Sequence, residues 1–372
     1  MAWLDPNWTY RKQVTISSSS GAGTNYPVKL LIGASVSASG DDFHLEGNSL
    51  NFPAGFDDGG DLRFTASDEV TELDFWVEKV EGTGASAVAT VWVEVAADLS
   101  SANQNVYCYY ANASATNSSN GGNTFQFYDD FEDGTLNNFN IPSTNRGFNS
   151  STVNPRTGTR HARVDTTMTR DAYPTMEILS LAKVEYIEVW VKEAVGSVGG
   201  AIGFAMQLFD ATATDWMRSP MIRDGGTLRF RWFGSLAGST TVSALYNRTD
   251  YYRLVTKYEG SNEWRTEIWD SSGTLIRGIN QTLNTNYLPT EIKKAGLTTY
   301  TSGTGFSSCD VDSVIIREYV STEPSFSVAG TEETNAATSN ISSMAGIAQA
   351  SIKSVAGVTS ANIKSIVGIA NS

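Results

Sequence analysis

Residues 87–95 read AVATVWVEV, in which Val91, Val93 and Val95 alternate with Trp92 and Glu94. Successive side chains of a β-strand point to opposite faces, so this stretch has one apolar face and one mixed face. Such a strand is typical of an antiparallel sheet that covers a core on one side. The stretch therefore predicts a sheet whose partner strands lie elsewhere in the chain.

Similar short runs rich in Val, Ile, Tyr, Phe and Trp recur along the chain, separated by clusters of Gly, Asn, Asp and Ser. The predicted strands of a first pair of sheets are residues 8–17, 27–33, 61–66, 73–80, 87–95 and 105–111. Those of a second pair are 185–192, 200–208, 227–233, 251–258, 264–269, 273–279 and 310–319. Many closely spaced strands without intervening helices predict an all-β protein with two antiparallel β-sandwich domains.

Two polar stretches, residues 111–124 (ANASATNSSNGGNT) and 320–340 (VSTEPSFSVAGTEETNAATSN), divide the chain. Their composition is typical of linkers. The predicted organisation is a sandwich over 1–112, a linker over 113–124, a sandwich over 125–319, a linker over 320–340 and a tail over 341–372.

The tail consists of three 11-residue repeats in which Ile, Ser, an aliphatic residue, Gly and another aliphatic residue recur in register. This period suits a continuous helix with a right-handed supercoil, but a Gly in every repeat opposes a helix. A short helical turn over 361–366 followed by an extended step fits better, and a disordered tail is the other alternative. So small a segment cannot bury its aliphatic side chains alone, so we expect it to anchor or oligomerise the protein. The residues expected to make these contacts are Ile341, Met344, Ile347, Ile352, Val355, Val358, Ile363, Ile366 and Ile369.

Composition opposes several functions. The net charge of −14 opposes nucleic-acid binding, which needs clustered Lys and Arg. With two histidines, His44 and His161, the chain lacks the inventory for zinc sites and histidine-dependent triads. Cys108 and Cys309 fall in different predicted domains and are expected to be buried free thiols. We expect no membrane insertion, since Lys353 and Lys364 interrupt the apolar tail, and no signal peptide.

Five sequence blocks occur in the first predicted sandwich: Trp8–Lys12, Asn25–Val28, Gly60–Thr65, Val91–Val93 and Tyr107–Asn112. In this order they resemble the family called domain of unknown function 2341, which groups extracellular and phage-borne β domains. Residues 35–53 depart from the pattern as a longer, irregular stretch. The resemblance implies a β domain of that type.

The second predicted sandwich opens with Phe127–Leu136 and closes with Cys309–Tyr319. These segments resemble the ends of concanavalin A-like jelly rolls of the laminin-G and lectin type, which implies a jelly roll over 125–319. The tail resembles Ile-x-x-Ile-x-Gly-Val repeats in structural proteins of tailed bacteriophages.

Catalytic carboxylates are not expected. Endoglucanases among such jelly rolls carry Glu-x-Asp-x-x-Glu on one strand, and this chain lacks the pattern. The nearest approaches are Glu185–Glu188 and Glu267–Asp270, and neither completes it.

A sugar-binding surface combines aromatic rings, which stack on sugar faces, with polar groups that direct hydrogen bonds. The candidate residues are Trp216, Arg218, Arg231, Trp232 and Tyr246. Most tryptophans, including Trp92 and Trp190, are expected in the core because apolar residues alternate around them.

Five aspartates near the predicted strand ends are candidate oxygen ligands for a structural Ca²⁺. They are Asp129, Asp130, Asp133, Asp310 and Asp312. Ordinary turn and edge carboxylates are the alternative reading, and no other cofactor is expected.

Modules typical of cell surfaces, on a chain for which no export signal is expected, favour a non-enzymatic virion protein of a tailed bacteriophage. It would be a capsid decoration, fibre or spike component made in the host cytoplasm. Its expected partners are other virion proteins bound through the tail, further copies of itself, and glycans; a trimer is expected by analogy with fibres. The alternatives are a secreted carbohydrate-binding or adhesive module and, third, a glycan-active enzyme.

Overall fold

The computed structural model is built almost wholly of β-strands. It describes residues 3–45, 60–112, 114–141, 148–166, 175–194, 202–209, 216–224, 227–230, 233–234, 242–244, 250–283, 288–292, 294–301, 307–335, 343–344, 347–348, 354–355 and 358–359. Within these ranges the α-helical segment is a single turn, α1 (Gly121–Thr124), whose first turn is capped by the Asn120 side chain.

The first strands in chain order are β1 (Tyr10–Ile16), β2 (Tyr26–Gly33), β3 (Phe43–His44), β4 (Arg63–Thr65), β5 (Glu72–Leu73), β6 (Phe75–Glu81), β7 (Val88–Val95) and β8 (Gln104–Tyr110). Next come β9 (Phe127–Asp129), β10 (Phe148–Ser151), β11 (His161–Thr166), β12 (Thr175–Ile178), β13 (Tyr186–Ala194), β14 (Ile202–Phe209), β15 (Trp216–Asp224), β16 (Thr227–Phe230), β17 (Phe233–Gly234) and β18 (Val242–Ala244). The last are β19 (Tyr252–Gly260), β20 (Glu263–Trp269), β21 (Leu275–Thr282), β22 (Lys294–Thr301), β23 (Ser307–Arg317), β24 (Phe326–Ala329), β25 (Glu333–Thr334), β26 (Ser343–Met344), β27 (Ile347–Ala348), β28 (Ser354–Val355) and β29 (Val358–Thr359).

The first sandwich packs two sheets face to face, as predicted. One has the order β24-β1-β8-β4-β5, with β25 also on β1, and the other has the order β3-β2-β7-β6. Val91, Val93 and Val95 of β7 are buried between the sheets, whereas Trp92 and Glu94 point outward. The alternation in the sequence thus places the inner face of β7 correctly.

In the segment 320–340, predicted to be a linker, the described residues 320–335 instead return to the first sandwich and supply strands β24 and β25. Val14 pairs with Ala329, and Arg11 pairs with Glu333. The first sandwich is therefore discontinuous in sequence. The linker prediction failed because strands of four and two residues are too short to show alternation, and their partner β1 lies about 320 residues upstream.

A buried charge depends on this return. Arg11 is fully buried, and its guanidinium donates to Glu333 at 2.7 Å, to Glu69 at 3.1 Å and to the Tyr109 hydroxyl at 3.0 Å. It also lies over the Trp3 ring at 4.3 Å. A buried cation is tolerated only when it is paired and hydrogen-bonded, so β25 completes the electrostatics of the first sandwich as well as its sheet.

The second sandwich is a jelly roll of two larger antiparallel sheets. One sheet has the order β10-β11-β23-β13-β19-β20-β21, with β9 on β23, and the other has the order β12-β22-β14-β15-β16-β18, with β17 on β15. Ile187, Val189 and Val191 of β13 face the core, where Trp264 is fully buried. Cys108 and Cys309 are free and buried, as predicted.

The segment predicted as the first linker is also more ordered than expected. Asn120 donates its backbone N–H to Phe75, and Ser119 accepts from the backbone of Val77, so this stretch runs along the edge strand β6. The segment that connects the two sandwiches is thereby fixed to the first sandwich.

The tail forms strands where it is described. Met344 pairs with Ile347, and Val355 pairs with Val358, so the described residues of these two repeats form short antiparallel strand pairs. A continuous helix is therefore wrong for these repeats, since Gly favours a turn over a helix interior. The helical turn predicted over 361–366, and Ile341, Ile352, Ile363, Ile366 and Ile369, lie outside the described residues. Within the described ranges, no helix has the length and hydropathy needed to cross a membrane.

We expect truncation after Val320 to destabilise the first sandwich and truncation after Asn335 to leave its stability unchanged. The shorter chain loses β24, β25 and Glu333 and leaves Arg11 buried with one carboxylate partner, at a cost of about 3–5 kcal/mol. Its melting temperature should fall by about 10 °C, as measured by differential scanning calorimetry. In the full chain, Glu333→Gln should reproduce part of this loss and Glu72→Gln, at an exposed ion pair, should not. Equal melting of both truncations would contradict this account.

Candidate functional site

The predicted sugar-binding residues receive no test from the structure. Trp216 and Arg218 lie two positions apart on β15, in register with Phe209 and Gln207 of β14, so they share a sheet face. Arg231, Trp232 and Tyr246 lie outside the described residues. The carbohydrate surface predicted there stays a prediction.

The five candidate Ca²⁺ ligands fall into two groups that hold turns and loops. Asp129 accepts the Phe131 N–H at 2.8 Å, and Asp312 accepts the Arg156 N–H at 2.7 Å. Asp130 and Asp133 accept backbone N–H groups in the turn after β9, and Asp310 lies 3.1 Å from Arg163. Across the described residues, no three His, Cys, Asp or Glu side chains are grouped to hold a metal ion. The Ca²⁺ site stays a prediction, and these carboxylates have a structural role without it.

One concave site among the described residues lies between the two sandwiches. It is a cleft of about 570 Å³, within the range of small-molecule sites. The first sandwich contributes the outward faces of β2, β6 and β7, and the segment 323–325 on the returning chain closes one side. The second sandwich contributes β13, β19, β20 and β23.

The second-sandwich wall is ordered by strand register. Because the core takes alternate residues of β13, the residues between them point outward, where antiparallel pairing aligns them with neighbouring strands. Three rows cross the sheet. They are Arg317, Tyr186, Lys257 and Arg265; then Ile315, Glu188, Val255 and Glu267; then Trp190, Arg253 and Trp269.

Two tryptophans, one from each sandwich, are held in the same manner in this cleft. Trp92 Nε1 donates to Glu78 at 2.9 Å, and Trp269 Nε1 donates to Glu267 at 3.1 Å. Each ring also carries a guanidinium, Arg317 at 4.8 Å from the Trp92 centroid and Arg253 at 4.7 Å from the Trp269 centroid. Both indoles are therefore oriented before any ligand arrives.

The expectation that Trp92 belongs to the core is wrong, whereas Trp190 is buried as expected. Trp92 lies on the outward face of β7 and is only partly buried. Trp190 is buried, but on the outward face of β13, beneath the Arg156 guanidinium at 3.7 Å. Alternation shows which residues share a face, but does not show that a second domain covers the outer one.

The two carboxyl groups of the second-sandwich wall have pKa values shifted in opposite directions. Burial raises the pKa of Glu188, opposed by Arg253, whose Nη1 lies 3.8 Å away. Burial would also raise the pKa of Glu267, but the hydrogen bond from Arg265 at 2.6 Å and the Lys257 ammonium at 3.3 Å outweigh it and lower that pKa. The shifts differ in sign because Glu267 has closer cationic partners than Glu188.

Arg253 adds a donor without an acceptor. Its Nε is buried and has no hydrogen-bond partner among the described residues. A buried donor of this kind costs free energy when it has no hydrogen-bond partner.

A buried ion pair fixes the two walls relative to each other. Arg317 of β23 donates to both carboxylate oxygens of Glu323, at 2.7 and 3.1 Å. Glu323 also accepts the Tyr26 hydroxyl of the first sandwich at 3.1 Å, and Val320 donates its N–H to that hydroxyl. Burial would lower the pKa of Arg317, but Glu323 and Tyr186 outweigh it and raise the pKa, so the guanidinium stays charged.

Residues 58–142 match the family described as Domain of unknown function (DUF2341). The match includes the blocks at Gly60–Thr65, Val91–Val93 and Tyr107–Asn112, and it extends into the first strand of the second sandwich. It covers less than half of the chain and leaves out the blocks at Trp8–Lys12 and Asn25–Val28.

No curated protein matches the chain. Among solved structures, it is similar to "Cellulose induced protein, Cip1" at 15% identity, covering 52% of this chain and 98% of that one, with a TM-score of 0.37. It is similar to a Bacillus licheniformis β-glucanase at 13% identity, over 52% and 98% of the chains, with a TM-score of 0.36. It is also similar to the CBM2 module of an evolved Dit of Lactobacillus casei BL23 phage J-1 at 11% identity, over 52% and 96%, with a TM-score of 0.35. Such scores mark partial overlaps and carry no argument about function.

Glu94, on the outward face of β7, makes the contact between the sandwiches sensitive to pH. Burial and repulsion from Asp74 and Glu318 raise its pKa from 4.5 to about 7. The folded state therefore binds this proton more tightly than the unfolded state, so stability falls as pH rises from about 4.5 to about 7.

We expect Glu94→Gln to remove this loss. Above pH 7 the variant should be more stable than the wild type by up to about 1 kcal/mol, since water screens this partly exposed group. At pH 4 the two should be equal. Urea unfolding at pH 4, 6 and 8 measures the difference, and a stability gap that does not change with pH would contradict the assignment.

Proposed function

We propose that the protein binds a neutral oligosaccharide in the cleft between its two sandwiches. The observation that carries the proposal is the pair of fixed indoles, Trp92 and Trp269, on opposite walls of one cleft. Indole faces pack against the apolar faces of sugar rings. A site shared by two walls would hold one ligand only when both sandwiches are in place.

The charges of the cleft favour a neutral ligand. Its lining carries five cationic and five carboxylate side chains, so the formal charges cancel. They are Lys29, Lys79, Arg253, Lys257 and Arg317, and Glu78, Glu81, Glu188, Glu267 and Glu323. An anionic or cationic ligand would gain no net attraction here, whereas sugar hydroxyls both donate and accept hydrogen bonds and can use both signs.

The role in a tailed-phage virion stays a prediction from the sequence. It rests on the tail repeats, and the described residues of the tail form short antiparallel strand pairs with no contact that identifies a particle or a second copy. A glycan-binding cleft is equally compatible with the alternative, a secreted binding module. Glycan binding is common to both and is the part that the structure supports.

We expect Trp92→Ala and Trp269→Ala each to weaken glycan binding about 10-fold, because each removes one stacking surface worth about 1 kcal/mol beyond its buried area. Affinity electrophoresis of the full chain in gels containing laminarin, barley β-glucan, xylan, galactomannan or starch identifies the ligand. Calorimetry with the matching oligosaccharide then gives the affinities.

Trp3→Ala is the matched control, since Trp3 packs on Tyr109 away from the cleft and should leave binding unchanged. Either of two results would contradict the proposal. In the first, none of the neutral glycans slows the migration of the wild-type protein in the gel. In the second, the Trp92 and Trp269 variants bind the glycan as tightly as the Trp3 variant.

A further inference from the structure

We propose that the sugar-binding cleft continues past Trp269 to a further subsite, in which the Arg156 guanidinium, held over Trp190, donates hydrogen bonds to two neighbouring hydroxyls of the oligosaccharide. The inference rests on the proposed function, because the subsite takes a later unit of the same sugar chain. It assigns a binding role to an arginine that lies next to the lining of the cleft and is not part of it.

Strand register places Trp190 at the border of the cleft. Trp190 of β13 pairs with Arg253 of β19, and Arg253 pairs with Trp269 of β20, so the three side chains form one row on the outward face. Arg253 and Trp269 line the cleft, and so does Glu188, two positions before Trp190 on the same face. Two strand spacings separate the Cα atoms of Trp190 and Trp269 by about 10 Å. A sugar chain that stacks on Trp269 and follows the row reaches Trp190 after about the length of a disaccharide.

Trp190 positions Arg156 and does not itself offer a face to a sugar. The Arg156 guanidinium lies over the indole, 3.7 Å from its centroid, and only 8% of Trp190 is exposed. The ring attracts the guanidinium through its π face. A ligand that arrives at this end of the row therefore meets the arginine and not the tryptophan beneath it.

The loop that carries Arg156, between β10 and β11, is held by its backbone. The Asp312 carboxylate accepts the Arg156 N–H at 2.7 Å. Glu132 accepts the N–H groups of Thr159 and Arg160, both at 2.9 Å. Because carboxylates bind these backbone donors, the loop keeps its place without the help of the guanidinium.

The guanidinium lies where the two walls of the cleft meet. No carboxylate among the described residues forms an ion pair with it. Burial lowers the pKa of Arg156, and the attraction of three more distant carboxylates opposes this shift; they are Asp312, Glu188 and Glu78. Glu188 belongs to the second-sandwich wall and Glu78 to the first. The side-chain N–H groups of Arg156 are thus free to bind a ligand that lies between the walls.

Neighbouring sugar hydroxyls suit this group. A guanidinium presents N–H donors in a fixed planar fork, which can reach two adjacent oxygens at once. Neighbouring hydroxyls on one sugar ring supply such a pair. An anionic group would be repelled by the carboxylates that already attract Arg156, so uncharged hydroxyls are the better acceptors. This agrees with the neutral ligand proposed for the rest of the cleft.

The test measures how affinity depends on chain length, by calorimetry on the full-length protein. The ligands run from disaccharide to hexasaccharide in the laminari-, cello-, xylo-, manno- or malto-series, chosen by which polysaccharide the protein binds in gels. Wild-type affinity should rise beyond the disaccharide. Arg156→Ala should bind the disaccharide as the wild type does and the hexasaccharide about 10-fold more weakly, because hydrogen bonds from a charged donor are lost.

Two further variants separate the planar fork from the charge. Arg156→Lys keeps the charge and should recover little of the loss, because an ammonium group lacks the fork. Arg160→Ala is the matched control: it removes a cation from the same loop, and its Nη1 contacts Ser150 instead of Trp190. It should bind every chain length as the wild type does. In the ¹H–¹⁵N spectrum of the wild type, the hexasaccharide should shift the Trp190 indole signal and the disaccharide should not.

The outcomes are distinct. Equal affinities of Arg156→Ala and the wild type for every chain length overturn the subsite and leave the cleft standing as a binding site. An equal loss for disaccharide and hexasaccharide also overturns it, since Arg156 would then act on the cleft as a whole. A wild-type protein that binds none of these oligosaccharides overturns both proposals. Unchanged disaccharide binding shows that the cleft is still formed, so a loss confined to longer chains reports the subsite.

Discussion

The Arg317 guanidinium is the contact on which the relative placement of the two sandwiches depends. It is almost fully buried, chelated by Glu323, and packed on Tyr186 at 4.0 Å and Trp92 at 4.8 Å. Its partners come from both sandwiches and from the chain that joins them. Since a buried charge must remain paired, sliding one sandwich over the other would break several contacts at once. The cleft thereby keeps a fixed width, which a stacking site requires.

The returning chain strengthens the effect of this contact on the placement of the two sandwiches. The second sandwich lies between residues 112 and 326 of the first, so the chain connects the two sandwiches at both ends. Arg317 ends β23 of the second sandwich, and Glu323 lies on the second of these connections, between β23 and β24. Arg11 and Glu333 repeat the arrangement inside the first sandwich, where a buried arginine again depends on a carboxylate from the returning segment. Two ion pairs thus make the C-terminal segment part of the fold.

How far the sequence predicts this structure depends on the range of the interaction. The alternation around Val91 and Val93 gives the strands and their inner faces, because that signal is local. The β24 and β25 pairing escapes prediction, since it joins residues more than 300 positions apart through strands too short to be recognised. The cleft is not predicted from the sequence for a related reason. Glu188 and Glu267 come onto one wall only through the register of three strands, which the pattern of any single strand does not show.

The placement of Trp92 shows what such a search could use. An aromatic residue on the polar face of an alternating strand has no place in that strand's own core, so it needs a second surface. Here that surface is the other sandwich, and the space between the two is the site.

The most direct test of the account is the set of tryptophan indole resonances in a ¹H–¹⁵N spectrum during titration with the oligosaccharide that the protein binds. The account predicts that the indole signals of Trp92 and Trp269 shift together and saturate at the same ligand concentration, while that of Trp3 stays in place. Signals of Trp92 and Trp269 that stay fixed while another tryptophan responds would show that the ligand binds elsewhere and would contradict the cleft.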